Sequence, residues 1–488
     1  MWHLTKRVII TANTTIQGEK MQDKTFLATK PIGKLLFNLA LPAVVAQLIN
    51  MLYNLVDRIY IGHIPVTGDV ALTGLGVCLP VIMIVSAFAA LVSNGGAPRA
   101  SIFMGAGDND SAEKTLGNCF VLQLIVSAVL TAVLLIWGED LLWVFGASEN
   151  TISYAVDYLN IYALGTVFVQ LTLGMNAFIT AQGFARTGML SVLIGAVCNI
   201  ALDPLFIFAF DMGVKGAALA TIISQAISCA WVLIFLFGKR SFLKIRLRYM
   251  KLQARYLLPS LALGLSTFVM QASESVILVC FNSSLQKYGG DIAVGAMTVL
   301  SSVMMFAMLP LQGLGQGAQP IISYNYGAKN ISRVKQTFKY LVTVSLAYSV
   351  LLFAFIMIFP TAFARMFTPE QNLIDYTARA LRIYMGGTAI FGIQIACQMT
   401  FVSVGNAKAS IAVAVIRKFV LLLPLIYLMP LIYTADKATA VFMAEPIADT
   451  VAVLTTIVLF AIIFTKSMRK LQEQRKSDVS DASANTQN

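Results

Sequence analysis

Long apolar runs recur along the whole chain, and they constrain its fold more than any other feature. A run of about 20 apolar residues is long enough to cross a bilayer as a helix. Twelve such runs occur, near residues 35–62, 70–98, 115–137, 152–182, 187–211, 214–237, 256–286, 291–322, 337–359, 376–404, 406–433 and 438–465. They lack the period-2 alternation of membrane β-strands. The sequence therefore predicts an all-α polytopic membrane protein with twelve transmembrane helices.

The composition agrees with this interpretation. Of the 488 residues, 58% are hydrophobic and 12% are charged, whereas soluble domains carry about 25% charged residues. The six cysteines stand singly inside apolar runs, and the chain has two histidines. Neither a disulfide framework nor a His-based metal or catalytic centre is expected from such a pattern. We therefore expect no enzyme activity and no cofactor.

The net charge of +12 is distributed unevenly among the loops. Residues 239–255, 329–339 and 466–476 are rich in Lys and Arg, whereas residues 138–150 carry acids and neither Lys nor Arg. Alternate loops are thus basic, and the positive-inside rule predicts that both termini are cytoplasmic in a plasma (cytoplasmic) membrane, which includes the bacterial inner membrane. The charge indicates orientation in the lipid bilayer, and no nucleic-acid partner is expected.

The chain contains an internal duplication. Residues 93–115 align without gaps to residues 315–337 at an offset of 222, and the matches include Gly and Pro in polar segments. Two parallel six-helix repeats are a transporter architecture, with the substrate cavity between them. The predicted divisions are a cytoplasmic segment 1–30, lobes 31–240 and 256–466, a basic linker 241–255 and a disordered tail 467–488. Either Met1 or Met21 could be the start.

Several acidic residues lie inside the apolar runs. Asp57 and Glu274 each follow a proline, Pro42 or Pro259, by fifteen residues, so they occupy equivalent positions of the repeat. Tyr53 lies one turn before Asp57, on the same helical face, where its hydroxyl could donate to the carboxylate.

A second acid lies in the fifth run. Asp203 is four residues after Asn199 and directly precedes Pro204, which removes a helical hydrogen bond and bends the helix. Thr221 in the sixth run adds a hydroxyl. A carboxylate at the centre of a membrane helix costs about 2.5–3.5 kcal/mol on insertion scales, so a compensating function is expected.

These groups favour a cation or proton site. Asp57, Asn199 and Asp203 would offer oxygen ligands to Na⁺, with Tyr53 and Thr221 beside them; a proton would also suit two neighbouring carboxylates. The structural alternatives are that Asp57 pairs with Arg58 and that Asp203 caps backbone at a kink. Glu274 is a candidate second acidic site, although the tenth run has no acidic partner for it. Glu445 and Asp449 are predicted to pair with Arg417.

The motifs LALPAVVAQLINMLYNLVDRIYIG, AQGFARTGML, NIALDPLFIF, GVKGAALAT and GLGQGAQPIISYNYGAKN follow one another in this order. Their sequence and spacing over about 31–466 resemble the multidrug and toxic compound extrusion (MATE) family, in its DinF-like or MepA-like branch. The resemblance implies a V-shaped fold of two six-helix lobes, drug/cation antiport driven by H⁺ or Na⁺, and a cation or proton site in the amino-terminal lobe. The site pattern falls on Tyr53, Asp57, Asn199, Asp203 and Thr221. In NorM-like members, an acid matched by Glu274 works with an acid on the tenth helix, and this chain lacks the second acid.

The expected function is multidrug efflux, and hence drug resistance, by a monomer that exports cationic or amphipathic small molecules. Pro42 and Pro204 are candidate hinges. Apolar contacts in the substrate cavity are expected from Met175, Phe206, Met305 and Met308. The alternatives are a dedicated exporter of a natural product or peptide precursor and a flippase for lipid-linked oligosaccharides, whose diphosphate would require a cationic cavity. A membrane enzyme would need clustered Asp, an HExxH motif or a Ser/His pair.

Overall fold

The computed structural model describes residues 25–65 and 67–485, the last seven of them by backbone alone. Most of the predicted segment 1–30, and the choice between Met1 and Met21, lie outside these residues. Throughout the part that is described, the secondary structure is helical, with no β-strand. The prediction of an all-α protein is confirmed.

The first half of the chain forms six long helices after a single turn at Phe26–Thr29. The helices are α1 (Ile32–Gly62), α2 (Gly68–Gly105), α3 (Asn109–Val144), α4 (Ile152–Ala181), α5 (Ala185–Pro204) and α6 (Gly213–Phe237). Pro204 closes α5, and a π-helical turn, Leu205–Ala209, follows it directly. A proline has no N–H to donate, so the regular hydrogen-bond ladder cannot continue through this position. The change of helix type lies where the sequence predicted a bend.

The second half begins with an unusually long helical element. The helices are α7 (Ala254–Gly327), α8 (Ile331–Ile358), α9 (Pro360–Arg365), α10 (Gln371–Tyr384), α11 (Thr388–Ser403), α12 (Ala407–Val415), α13 (Leu423–Ile432) and α14 (Lys437–Asn485). A straight helix with the 74 residues of α7 would be about 110 Å long, several times the thickness of a bilayer core. Gly290, with φ 63° and ψ −161°, breaks α7 into two passes.

The number of membrane crossings agrees with the number predicted from the sequence when α7 is counted as two passes. In the described ranges, eleven helical stretches are long and apolar enough to span a membrane, and one of them is α7. Because α7 passes twice, the described residues make the twelve predicted crossings. The structure differs at the carboxyl end, where α14 continues to Asn485 through a segment predicted to be disordered. Residues 467–476 are mostly strong helix formers, which explains the extension.

Three buried apolar clusters show how the halves are arranged. One cluster uses only first-half residues, such as Leu75 and Leu142, and another uses only second-half residues, such as Phe281 and Phe442. The third cluster is shared by both halves and joins Phe178 to residues 318–322 and 460–468. The halves therefore have separate cores at one end and a common core at the other end, where Phe26 and Met468 lie. This is the geometry of a V.

Glycines allow the close approach at the common end. A Cβ on Gly95 of α2 would lie 1.8 Å from the Ser260 carbonyl oxygen, and one on Gly264 of α7 would lie 1.7 Å from the Leu91 oxygen. No side chain fits at such distances, so α2 and α7 pack backbone against backbone at these positions. The seam between the halves is formed mainly by these two helices.

The basic linker lies against the first half. Glu113 Oε2 of α3 accepts from Arg246 Nε at 2.7 Å. Asn118 Oδ1 accepts from the backbone N–H of Gln253 at 2.6 Å. Gln182 Oε1 accepts from the Leu243 amide at 2.8 Å. Three side chains of the first half thus hold the linker from residue 243 to residue 253.

Candidate functional site

The predicted acidic site forms at the open end of the first half. Asp57 lies five residues before the end of α1, and Asp203 lies one residue before the end of α5. Both acids are buried, with exposed fractions of 8% and 0%. They are close enough to interact electrostatically, and Tyr53 interacts with both of them. Folding thus brings together acids that are 146 residues apart in the chain.

Asn199 links Asp203 to α6. Its Nδ2 group donates to Asp203 Oδ1 at 3.1 Å and lies 3.5 Å from the Thr221 hydroxyl. The i,i+4 spacing of Asn199 and Asp203 places both on the same side of α5, as expected. Three of the five predicted site residues are therefore connected by contacts, and Asp57 and Tyr53 join them through electrostatic interactions.

Three buried oxygen atoms of this site lack a hydrogen-bond partner within the described residues. They are Asp57 Oδ1, Asp203 Oδ2 and Asn199 Oδ1. Asp57 makes no ion pair with Arg58 among the salt bridges of that part of the chain. Buried acceptors are nearly always satisfied in folded proteins. The arrangement is therefore suited to receive a proton or a small cation.

The oxygen set fits the coupling ions that the sequence suggests. Two carboxylates, an amide oxygen and a hydroxyl are hard ligands, which Na⁺ prefers over nitrogen or sulfur donors. Within the described ranges, no cluster of three or more His, Cys, Asp or Glu side chains could hold a metal ion. Na⁺ would thus rely on Asn199 and Thr221 in addition to the two acids.

Two tyrosines belong to the site but were not predicted. Tyr158 of α4 is buried and lies close enough to Asp57 and Thr221 to interact with both side chains. Tyr162 stacks on Tyr158, with ring centroids 6.2 Å apart, and interacts with Tyr53. Both residues lie in the segment YLNIYALGT, at residues 158–166. The i,i+4 spacing of the two phenols was the available signal.

The predicted apolar contacts lie in different environments. Met175 is fully buried in the shared core beside Phe178, so it faces no open cleft in this conformation. Met305 is 56% exposed, and Met308 packs against the small buried cluster of Leu311, Phe391 and Ile395. Phe206 lies in the π-helical turn after Pro204, and the centroid of its ring is 5.7 Å from that of the Phe210 ring.

The second half contains a different charged cluster. Arg417 donates from Nε to Asp449 at 2.7 Å and from Nη2 to Glu445 at 3.1 Å, which confirms the predicted pairing. Glu274, the candidate second acidic site, forms an ion pair with Lys418 at 2.8 Å. Lys418 was not predicted to take part. The acids of this cluster are therefore paired with cations, whereas Asp57 and Asp203 have no cationic partner among the salt bridges of the described residues.

Comparison with known proteins identifies the class to which this fold and site belong. The MatE family model matches residues 42–205 and 266–428, about two thirds of the chain, and the protein belongs to this family. The family consists of membrane transporters, so the expectation of a transporter rather than an enzyme is confirmed.

The sequences of individual relatives align with nearly the whole chain. The multidrug export protein MepA of Staphylococcus haemolyticus is 24% identical over 433 residues, covering 88% of this chain and 94% of MepA. MepA of Staphylococcus aureus (strain NCTC 8325) is 21% identical over 438 residues, covering 90% and 95%.

Solved structures show the same fold. A MATE crystal structure in the bent conformation has a TM-score of 0.87 at 23% identity and covers 93% of this chain and 100% of its own. An outward-facing multidrug resistance MATE family transporter has a TM-score of 0.85 at 24% identity, covering 92% and 99%. The predicted fold of two six-helix lobes is thereby confirmed.

Proposed function

We propose that this protein is a secondary active efflux transporter that exports cationic or amphipathic small molecules in exchange for H⁺ or Na⁺. The observation that carries the proposal is the pair of buried carboxylates, Asp57 and Asp203, each with one oxygen that no described group satisfies. A cationic guest and a coupling ion would compete for these oxygens. The names of the MepA relatives support drug export as the physiological role.

The arrangement of the cores supports alternating access. The closed end of the V is the end with the basic loops, which the positive-inside rule assigns to the cytoplasm. The acidic site would then open to the outside in this conformation, and both termini would be cytoplasmic. A coupling ion drives the change of state only if it binds the two conformations with different affinities. Ion binding at Asp57 and Asp203 would meet this requirement if the change of state alters the separation or the exposure of the two carboxylates.

The charges of the second half favour export over lipid-linked oligosaccharide flipping. A diphosphate headgroup would need unpaired cations in the cavity. Among the described residues of this half, the buried cations are Arg417 and Lys418, and both are engaged by carboxylates. The same acidic site would serve a broad drug pump or a dedicated exporter of one natural product, and we propose a monomer for either.

The decisive experiment imposes the two ion gradients separately. Purified protein is reconstituted into lipid vesicles, and the vesicles are loaded with a fluorescent cationic dye. Dye efflux is then measured under an inward proton gradient or an inward Na⁺ gradient. Efflux should accelerate under one of them and should collapse when an ionophore dissipates it. Equal efflux with and without both gradients would refute ion-coupled transport.

A further inference from the structure

A short segment ahead of α1 is buried at the closed end of the V. Its helical turn, Phe26–Thr29, places the side chains of Phe26 and Leu27 in the core that both halves share, with exposed fractions of 4% and 0%. Segments that precede the first helix of a domain are usually poorly ordered unless specific contacts hold them. Residues 26–30, called the clasp below, make such contacts with both halves.

Phe26 attaches the clasp to the first half. Its ring lies against Gly183, in the turn between α4 and α5, where an added Cβ would lie 2.3 Å from the Phe26 Cζ atom. Gly183 has a φ of 89°, which glycine adopts without strain. A glycine at this position therefore allows the turn and leaves space for the ring. Since the clasp also continues directly into α1, it belongs to the first half.

Backbone carbonyl groups of the clasp bind the second half. Arg333 of α8 donates from Nη2 to the Lys30 oxygen at 2.7 Å and to the Leu27 oxygen at 3.1 Å. Asn325 of α7 donates from Nδ2 to the same Leu27 oxygen at 3.0 Å. Arg333 forms no ion pair among the salt bridges of the described residues. The clasp therefore supplies the acceptors for this cation.

The duplicated sequence contains a matching contact in the opposite direction. The offset of 222 pairs Leu27, ahead of α1, with Tyr249, ahead of α7, and it pairs α8 with α3. The Tyr249 carbonyl oxygen accepts from Asn118 Nδ2 of α3 at 3.4 Å. Each half thus extends the segment ahead of its first helix onto the other half. Two such contacts, related by the repeat, join the halves at the closed end.

The two contacts differ in strength. The linker is bound to the first half by the ion pair between Glu113 and Arg246 in addition to hydrogen bonds. The polar contacts of the clasp with the second half are hydrogen bonds from Asn325 and the half-buried Arg333 to carbonyl oxygens. Water can replace donors at such oxygens with a small net loss of free energy. The clasp is therefore the contact that can release.

We infer that residues 26–30 hold the closed end shut and so favour this conformation over one that opens at that end. The inference rests on the alternating access proposed above. When the halves separate at this end, the clasp stays with the first half, and the carbonyl oxygens of Leu27 and Lys30 leave Asn325 and Arg333. Because these hydrogen bonds exist in one of the two conformations, their free energy contributes to the balance between them.

Cysteine reactivity measures the release directly. Leu27→Cys places a thiol at a fully buried position of the clasp. Ser101→Cys places one at the seam, where the buried Ser101 hydroxyl donates to the Pro320 carbonyl oxygen at 3.4 Å. A sulfonated maleimide does not enter lipid or detergent, so it reacts with either thiol only when water reaches the site. Rates are measured on the purified full-length protein in detergent by peptide mass spectrometry, which distinguishes each cysteine. The native Cys119, which is 1% exposed, reports unfolding.

The test substitution is Arg333→Met, which removes the N–H donors and keeps the aliphatic part of the side chain. Combined with Leu27→Cys or with Ser101→Cys, it should accelerate labelling about tenfold or more, because hydrogen bonds from a charged donor are lost. Lys335→Met is the matched control, since it removes an exposed cation from the same helix and should leave both rates unchanged. The rate at Cys119 should be the same in every variant.

Three results would overturn the inference. An unchanged rate at Leu27→Cys would show that Arg333 does not hold the clasp. Faster labelling of Leu27→Cys without faster labelling of Ser101→Cys would show a segment that does not keep the halves together. An equal increase at Cys119 would mean that Arg333→Met unfolds the protein rather than releasing the clasp.

Two features keep the result unambiguous. If Leu27→Cys does not elute as a folded monodisperse protein, the rate at Ser101→Cys decides, because that variant leaves the clasp intact. Neither an ion gradient nor a dye takes part in the measurement. Absence of ion-coupled efflux from vesicles would therefore leave the clasp standing, and unchanged labelling rates would overturn the clasp without affecting the proposed efflux.

Discussion

Gly105 and Gly327 occupy equivalent positions of the duplicated sequence and meet across the seam between the halves. A Cβ on Gly105 would lie 1.9 Å from the Tyr324 carbonyl oxygen, and one on Gly327 would lie 1.9 Å from the Ile102 carbonyl oxygen. Each glycine thus makes room for the backbone beside the other. This reciprocity is what a twofold relation between parallel repeats produces.

We expect Gly105→Ala to destabilise the closed end of the V. The added methyl group cannot fit without moving α2 away from α7, and overpacking of this kind costs about 1–3 kcal/mol. Gly76→Ala in the same helix is the matched control, because a Cβ at Gly76 would meet no described atom within 4 Å. Thermal unfolding in detergent should give a lower Tm for Gly105→Ala alone. Equal Tm values would show that the seam adapts to a side chain.

Asp203→Asn should abolish ion-coupled efflux while leaving folding intact. The amide keeps the shape of the side chain but removes the charge for which guest and ion compete. Asp211→Asn is the control, because Asp211 is exposed and its positive φ of 53° is well tolerated by asparagine. Gradient-driven dye efflux from vesicles measures the effect, and normal efflux by Asp203→Asn would refute the proposed site.

Arg417→Leu should strongly destabilise the second half. Removing one member of a buried ionic network leaves Glu445 and Asp449 uncompensated and costs about 3–5 kcal/mol. The exposed Arg382→Leu should have little effect. Adding Glu445→Gln and Asp449→Asn to Arg417→Leu should restore part of the lost Tm. A triple variant as unstable as Arg417→Leu would mean that packing, rather than charge, dominates at this position.

Glu113→Gln should loosen the linker. Glu113 is 6% exposed and holds Arg246 by an ion pair at 2.7 Å, which the neutral amide weakens. Limited trypsin digestion should then cleave faster at the basic residues of the linker, as followed by gel electrophoresis. Glu149→Gln changes an exposed acid in another loop and serves as the control. Identical cleavage rates in the two variants would show that Glu113 does not restrain the linker.

Much of the fold could be predicted because it follows from patterns that act over short distances. Apolar length predicted the crossings, and the offset of 222 paired Gly105 with Gly327 from the sequence alone. The i,i+4 rule placed Asn199 and Asp203 on one face, and the need to compensate buried charge correctly paired Arg417 with Glu445 and Asp449.

The residues that were not predicted owe their positions to the rotation of each helix about its axis and to local changes of helix type. An apolar sequence does not indicate either of these. A membrane helix is hydrophobic on all sides, so nothing distinguished the buried Met175 from the exposed Met305. Tyr158 reaches the acidic site only because of the way α4 packs on α6. Lys418 is buried within a π-helical turn, Ile416–Leu422, and the apolar sequence around it does not indicate this turn.

The attachment of the linker to the first half has a consequence for the covalent connection between the lobes. Because residues 243–253 remain bound to α3 and the end of α4, the peptide chain adds little to an association that the common core already provides. Two polypeptides divided near the start of α7 and synthesised separately would be expected to reassemble into an intact transporter.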